Sequence, residues 1–288
     1  MEAWACAAHH NEGKTYELFS RWDLLLPKLH FWQDFSPSQL GVLVIEHIVD
    51  GVKKKIKQNF SLEQVFSVAE GLAKIHAQSL NSSDWVKELD VKRIKAPWVE
   101  VLTQIPHDTE RTLKPLLPEF YKSVLTPVLA KFDAEQIYRW QFESELFDLP
   151  PVLVHGDVFS GNLFFQSHNS SKLQAFIDWQ LAHPGNCMED LTNLLVCGLS
   201  GEVRREVTPK VIQYYFERLC KHTDNKPIFS LDQIWMLHRE VLPLTMMYMV
   251  IGASMWGNMF GPDDSEILKR LSDKTRMIIQ DAWPGCID

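Results

Sequence analysis

The 288-residue sequence predicts an α+β fold in which helices outnumber strands. Short apolar runs typical of buried strands occur at two places in the chain, near residue 45 and between residues 152 and 178. Helix-start signals, followed by apolar residues at three- and four-residue spacing, occupy much of the remaining chain. The pattern after Glu189 is helical throughout, so we expect a mainly helical C-terminal part.

The N-terminal part of the chain contains both kinds of element. The segment Glu12–Trp22 predicts a helix, and the apolar run Gly41–Glu46 predicts a buried strand. Ser61–Gln64 has the pattern of a capping box, in which the serine hydroxyl and the glutamine amide satisfy free backbone groups at a helix start. Two later segments also predict helix starts: Asp133–Gln136 and Ser230–Gln233.

The middle of the chain predicts a strand, a loop and a hairpin. A short apolar strand leads into the loop His155–Asn162, and a second strand leaves it. The polar turn Ser167–Lys172 connects this second strand with a third, Leu173–Asp178. A hairpin of this kind folds Asp178 back beside Asn162.

Composition restricts the class of protein. The net charge of −8 and the pI near 5.8 argue against a nucleic-acid-binding protein, which usually has a basic surplus. The short basic run Val52–Lys57 is typical of a solvated face, with an anion or membrane patch as the less favoured interpretation. Val241–Pro262 is uncharged but contains proline, glycine and polar residues, which favours a buried helix running into a loop over a membrane span.

The cysteines and the N-terminus indicate the compartment. The five cysteines are scattered without metal-binding spacing, which predicts free thiols in a reducing environment. The first residues have an acid where a signal peptide needs a base, and their apolar run is too short. We therefore expect a cytoplasmic protein.

The pattern His-Gly-Asp-x-x-x-x-Asn contains the residue types that phosphoryl transfer needs. Asn162 and Asp178 would supply an amide oxygen and a carboxylate, which are hard ligands of the kind that Mg²⁺ prefers. Asp157 can accept the proton of an attacking hydroxyl, and Gly156 lets the backbone turn tightly. The alternative is that Asp157 and Asn162 are ordinary turn residues. For His155 a structural role in bracing the loop is favoured over catalysis.

These residues resemble a known family. The loop His155–Asn162, followed by Ile177–Gln180, resembles the aminoglycoside phosphotransferase and choline kinase superfamily, which has a protein-kinase-like fold. The resemblance is closer to its ecdysteroid-kinase-like branch, also called CHK kinase-like. Leu72–Ala77 is similar to the branch's LA-x-x-HA helix, and Glu189–Leu195 to the helix after its metal loop. His10–Glu12 resembles the start of the helix that carries the family's ion-pairing glutamate.

The resemblance implies a role for each matched residue. Asp157 would be the catalytic base, and Asn162 and Asp178 would be the Mg²⁺ ligands. Asp190 would brace the catalytic loop, with a helix-start acid favoured by the dipole as the alternative. ATP and Mg²⁺ would be the cofactors, and the partner would be a small molecule with a hydroxyl group.

The same resemblance implies a nucleotide site near the N-terminus. Glu12 would pair with a lysine that holds the α and β phosphates, with a solvated helix acid as the alternative. The strand that ends at Ile45 would be the hinge between the lobes, where backbone groups of Ile45 and His47 would bind adenine.

The sequence departs from the family at its front end. The family has a glycine-rich loop over the phosphates and a strand bearing the lysine. In this chain no two glycines before Gly156 are close enough to form such a loop, and no lysine precedes Lys14. We therefore expect most of the N-lobe to be missing, with residues 1–49 as its remnant and residues 50–288 as the C-lobe.

Two functions stay open from the sequence. One is an ATP- and Mg²⁺-dependent small-molecule kinase, and the other is a non-catalytic, pseudokinase-like binding or regulatory protein. A protein kinase is disfavoured, because the loop lacks the H-R-D and D-F-G motifs. The resemblance favours a sterol-like or other lipophilic alcohol over choline as the acceptor. Four aromatic residues are candidates for stacking on it or for the core: Trp235, Tyr248, Trp256 and Trp283.

Overall fold

The computed structural model describes residues 2–22, 24–36, 38–89, 91–144, 146–260 and 264–287. Its α-helices are α1 (Glu2–Phe19), α2 (Leu62–Ser79), α3 (Val91–Leu116), α4 (Pro118–Phe120), α5 (Thr126–Leu129), α6 (Ala134–Phe142), α7 (Glu189–Gly198), α8 (Gly201–His222), α9 (Leu231–Phe260) and α10 (Ser265–Ala282). Its strands are β1 (Leu29–Gln33), β2 (Val42–Ile45), β3 (Gly51–Lys53), β4 (Val152–Val154), β5 (Leu163–Gln166), β6 (Asn169–Phe176) and β7 (His183–Gly185). The predicted α+β class with an excess of helix is confirmed.

The described strands form three small antiparallel sheets, with the orders β1–β2, β3–β5–β6 and β4–β7. The loop His155–Asn162, which we call the catalytic-type loop, runs from β4 to β5. The second loop, Ile177–Ala182, contains Asp178 and runs from β6 to β7. Since β5 pairs with β6 and β4 pairs with β7, both loops are fixed at both ends. Strand pairing therefore holds the two loops side by side.

Two hydrophobic clusters support these loops. The first lies between the sheets and helices α2, α7 and α8, and its buried residues include Tyr16 and Phe19 of α1. The second joins α3 and α6 to the C-terminal part of α9 and to α10. Strand β4 is fully buried and α7 nearly so, so the start of the catalytic-type loop has a rigid base.

Most of the predicted elements are confirmed. Ser61 and Gln64 form the capping box of α2, and Asp133 caps α6 through the backbone N–H of Gln136. Ser230 and Gln233 make the reciprocal bonds of a capping box at the start of α9. The described chain after Glu189 is helical apart from the connections.

Several boundaries differ from the prediction. Helix α1 begins at Glu2 and ends at Phe19, whereas the predicted helix was Glu12–Trp22. Strand β1, which pairs with β2, was not predicted, because three of its five side chains are half-buried and the alternation of polar and apolar residues is weak. Strand β6 begins at Asn169, inside the predicted turn, because Gln166 already pairs with Asn169.

The uncharged segment in α9 is helical up to Phe260. The predicted loop after it falls on residues 261–263, outside the described residues. No described helix has the length and hydropathy needed to cross a membrane. All five cysteines are free thiols.

Candidate active site

The start of the catalytic-type loop is fixed by Asp190, in the first turn of α7. Its carboxylate accepts hydrogen bonds from the backbone N–H of His155 at 2.7 Å and from that of Gly156 at 2.9 Å. The side chain is almost fully buried. Burial and the neighbouring Glu189 raise the pKa of Asp190 to about 7, while the two N–H donors act in the opposite direction. Asp190 therefore lies where the sequence predicted a residue that braces the loop.

His155 connects the two loops. Its Nε2 lies 2.8 Å from the carbonyl oxygen of Ile177, and its Nδ1 accepts the backbone N–H of Asp157 at 3.2 Å. These partners assign the proton to Nε2. The ring packs 4.5 Å from the Trp179 ring, and burial lowers the pKa of His155 to about 4. The imidazole is therefore neutral at pH 7 and acts as a bridge between loops.

Asp157 and Asn162 are joined by hydrogen bonds across the loop. The side-chain nitrogen of Asn162 donates to the backbone carbonyl and to the carboxylate of Asp157, each at 3.0 Å. Burial and the negative charge of Asp178 raise the pKa of Asp157 to about 7. A pKa close to the working pH suits a general base.

Asp178 lies beside this pair, as the hairpin predicted. The backbone N–H of the preceding Ile177 donates to the carbonyl oxygen of Asn162 at 3.0 Å. Asp178 has a left-handed backbone with φ of 67°, which aspartate tolerates better than most residues. Burial raises the pKa of Asp178, and the positive charge of Lys53 acts against this rise.

The side-chain oxygens of Asn162 and Asp178 are ligands of the type that Mg²⁺ prefers, but two side chains do not complete its coordination shell. Asn162 uses its nitrogen on Asp157, so its amide oxygen stays available, and Asp178 offers a carboxylate. No group of three or more His, Cys, Asp or Glu residues in the described part of the chain is arranged to hold a metal ion. Phosphate oxygens and water would have to complete the coordination, as is usual for Mg²⁺.

Gly156 occupies a position that no other residue fits. Its φ is +83°, and a Cβ atom there would lie 2.5 Å from the carbonyl oxygen of Leu181. The backbone of the catalytic-type loop thus packs directly on the second loop. Glycine is needed here for both its conformation and its size.

Helix α1 packs on the second loop through its polar residues. The side-chain nitrogen of Asn11 donates to the carbonyl oxygens of Gln180 and Ala182, each at 2.9 Å. Glu12 accepts the backbone N–H of Trp179, and burial together with the charge of Asp178 raises the pKa of Glu12 to about 7. None of the described ion pairs joins Glu12 to a lysine, so the expected lysine partner is not among the described contacts.

The predicted hinge borders a cavity of about 210 Å³. His47 contributes to its wall, together with Gln174 and Ala175 of β6. Ile45 is the last residue of β2 and pairs with Leu29. The structure therefore brings His47 to this cavity, and Ile45 to the strand that leads to it.

A second cavity, of about 280 Å³, has Asp157 in its wall. Apart from Asp157, no residue in its wall is an acid or a base of the Asp, Glu, Lys, Arg or His type. The wall consists of Trp4, Trp98, Val101, Ile105, Gly156, Asp157, Phe159, Gln180, Leu181, Asn193, Cys197, Tyr248, Ile251, Met255 and Trp256. Two of the four aromatic candidates, Tyr248 and Trp256, lie here. Trp235 borders another cavity, and Lys131 lies over the Trp283 ring.

Sequence reasoning missed several residues around the site. Trp4 and Trp98 stack with ring centroids 4.8 Å apart at the apolar cavity, although they are far apart in the sequence. Lys53 lies near enough to Asp178 for their charges to interact, because β3 pairs with β5. The sequence did not predict this pairing. The Asn11 contact follows from the packing of α1. Each of these depends on long-range pairing, and no local pattern signals it.

A family model described as "Uncharacterized oxidoreductase dhs-27" matches residues 1–282 of the chain. The chain belongs to this family, DUF1679. The family is ecdysteroid-kinase-like, which confirms the resemblance inferred from the loop motifs.

The description of the DUF1679 family carries no activity over to this chain. Dhs-27 of Caenorhabditis elegans is 24% identical over 210 residues, which are 68% of this chain and 25% of that protein. "Uncharacterized kinase-like protein D1044.1" of Caenorhabditis elegans is 25% identical over 212 residues, which are 73% of this chain and 55% of that protein. The chain thus spans about half or less of the length of these relatives.

Two solved structures share the fold of this DUF1679 chain. Plasmodium vivax ethanolamine kinase matches with a TM-score of 0.52 and 17% identity, covering 96% of this chain and 71% of that one. Choline kinase from Cryptosporidium parvum matches with a TM-score of 0.53 and 15% identity, covering 95% of this chain and 80% of that one. The fold is therefore that of small-molecule kinases. These matches do not confirm a missing N-lobe, so this and the division at residue 49 stay predictions.

Proposed function

We propose that this protein transfers the γ-phosphoryl group of ATP to a hydroxyl group of a small apolar molecule, with Mg²⁺ as cofactor. One observation carries the proposal. Asp157 forms part of the wall of the apolar cavity and is also hydrogen-bonded to Asn162, beside Asp178. A single carboxylate thus faces both a place for an alcohol and a place for a metal-bound phosphate.

The reaction assigns a task to each of these residues. Asp157 accepts the hydroxyl proton while the alcohol oxygen attacks the γ-phosphorus. The new O–P bond forms as the bond to the β-phosphate oxygen breaks, and ADP leaves. Asn162 and Asp178 would hold Mg²⁺, which neutralises charge on the phosphates when it is bound. Asp190 and His155 keep the loop in position, since their contacts fix its backbone.

The nucleotide would enter from the side of the hinge. The cavity beside His47 has a volume of about 210 Å³, and strand β6, which contributes Gln174 and Ala175 to its wall, ends two residues before Asp178. Adenine bound there would send its phosphates along the strand toward the metal ligands. Glu12 lies next to Asp178 and would line the same end of the site.

The acceptor would be an uncharged, lipophilic alcohol of a sterol-like kind. The cavity offers tryptophan, tyrosine and aliphatic side chains, with Asp157 as its acid. Aromatic rings also bind quaternary ammonium groups, so choline is the competing acceptor.

The test is transfer of γ-labelled phosphate from ATP to a panel of ecdysteroids, sterols, aliphatic alcohols, choline and an aminoglycoside. We expect a labelled product from at least one lipophilic alcohol, requiring Mg²⁺. Asp157→Asn should lower kcat by about 10²- to 10⁴-fold with little change in ATP affinity. Absence of any Asp157-dependent product over the whole panel would contradict the enzyme assignment.

A second candidate is a non-catalytic nucleotide-binding protein. It is favoured by the described ion pairs, none of which joins Glu12 to a lysine. This candidate predicts that ATP or ADP binds and that no acceptor is phosphorylated. Calorimetric titration with nucleotide, run beside the transfer assay, separates the two candidates.

A further inference from the structure

Lys53 is an exposed cation at the end of β3. Strand β3 pairs with β5 so that Lys53 is opposite Phe164. The Lys53 ammonium lies over the Phe164 ring, 4.7 Å from its centroid. This contact holds the ammonium against β5, on a residue that lies two positions after the metal-ligand candidate Asn162.

The sheet register connects Lys53 to both ends of the proposed nucleotide site. Phe164, the partner of Lys53, is itself paired with Ala175 of β6. Ala175 is in the wall of the hinge cavity, and Asp178 follows two residues after the end of its strand. Asn162 precedes β5 by one residue. The row Lys53–Phe164–Ala175 therefore ends at the wall of the hinge cavity, with Phe164 two residues from Asn162 and Ala175 three residues from Asp178.

The Lys53 ammonium lies near enough to the Asp178 carboxylate for the two charges to interact. Neighbouring lysines are engaged elsewhere: Lys54 donates to Gln64, and Lys57 pairs with Asp264. In the part of the chain that the structure describes, no carboxylate forms an ion pair with Lys53.

We propose that the Lys53 ammonium binds the β or γ phosphate of the nucleotide, at the position between the hinge cavity and Asp178. The inference rests on the proposed function, because it requires a nucleotide in that site. A flexible, strongly hydrated ammonium suits a phosphate as a point charge. The basic run Val52–Lys57 then contains one ligand-binding residue beside solvated ones.

The experiment compares binding of ATP and of adenosine by calorimetry, both with Mg²⁺. The variants are Lys53→Gln, which removes the charge, Lys53→Arg, which keeps it, and the control Lys55→Gln. Lys55 is an exposed lysine two residues away in the same run. We expect Lys53→Gln to weaken ATP binding by about 10-fold, in line with a charge-assisted hydrogen bond, and to leave adenosine binding unchanged. Lys53→Arg and Lys55→Gln should bind ATP within about 2-fold of wild type, since neither removes that charge.

Ionic strength provides a second readout. The ratio of the ATP dissociation constants of Lys53→Gln and wild type should fall toward one as salt is raised, because an exposed ammonium is screened. A purely structural role for Lys53 would weaken adenosine and ATP binding alike and lower the melting temperature. That result would overturn the inference, as would unchanged ATP binding by Lys53→Gln. If wild type binds neither ATP nor ADP, the proposed function itself fails.

Discussion

The side-chain nitrogen of Asn162 lies 3.0 Å from the Oδ2 atom of Asp157. This bond joins the residue proposed as the base to a residue proposed as a metal ligand. It also fixes the side-chain amide of Asn162, because the nitrogen faces Asp157 and the oxygen is turned away from it. The same contact thus positions the proposed base and the proposed metal ligand.

Replacing Asp190 with alanine should destabilise the fold. The change leaves the buried N–H groups of His155 and Gly156 without an acceptor. Each such loss costs about 1–3 kcal/mol, so for the two groups we expect the free energy of unfolding to fall by about 2–6 kcal/mol. Urea denaturation measures it. The control is Glu202→Ala, an exposed acid in the first turn of α8, for which we expect a change below about 0.5 kcal/mol. Equal effects of the two variants would contradict a bracing role.

Asp178→Asn should weaken binding of a divalent cation in the presence of ADP. Asparagine tolerates the left-handed backbone, so the change removes the charge without forcing the chain to move. We expect at least about 10-fold weaker binding of Mn²⁺, seen as loss of paramagnetic broadening of NMR signals from the loops. Asp148→Asn is the matched control, because Asp148 is an exposed aspartate with φ of 60°. Broadening that survives in Asp178→Asn would remove Asp178 from the metal site.

Acid should destabilise the protein through His76. The ring is buried and its Nδ1 lies 2.7 Å from the hydroxyl of Tyr215; burial lowers the pKa of His76 to about 3. Below pH 6.5 the unfolded chain takes up a proton that the folded protein does not, so stability falls as the pH drops from 6.5 toward 3. At pH 5 this amounts to about 2 kcal/mol.

The measurement compares the free energy of unfolding of wild type and His76→Asn between pH 7.5 and 5. We expect the variant to be less stable at pH 7.5 and the gap to close by about 2 kcal/mol at pH 5, because the variant lacks the titrating ring. His107→Asn serves as the control, since His107 is exposed. A gap that stays constant with pH would refute the assignment.

The side chains of the apolar cavity should determine the KM of the acceptor alcohol and have no effect on the KM of ATP. Trp256→Ala removes an aromatic wall, so we expect the KM of the best alcohol from the panel to rise by about 10-fold, with the KM of ATP unchanged. Trp235→Ala is the matched control: it lies on the same helix, is also half-buried, and borders a different cavity. Steady-state kinetics with either substrate varied would decide this. A parallel rise in both KM values would point to a general loss of structure.

The sequence correctly predicted the features that depend on residues close together in the chain, such as helix starts and tight turns. The capping-box pattern Ser61–Gln64 identified the start of α2. The polar turn Ser167–Lys172 between two apolar runs identified the hairpin that brings Asp178 back beside Asn162. Strand β1 was missed because the pairing that stabilises it lies in β2, and half of α1 was missed because its first residues lack a capping signal. The basic run was interpreted as a solvated face, and Lys53 is exposed in the structure; its contact with Phe164 follows only from the pairing of β3 with β5.

The close packing of Gly156 against Leu181 has an evolutionary consequence. A side chain at position 156 would collide with the backbone oxygen of Leu181, which no change of rotamer at Leu181 can move. Any substitution that enlarges position 156 therefore requires the whole Trp179–Leu181 segment to shift, and with it the neighbouring Asp178. We therefore expect glycine at position 156 wherever both loops keep these shapes.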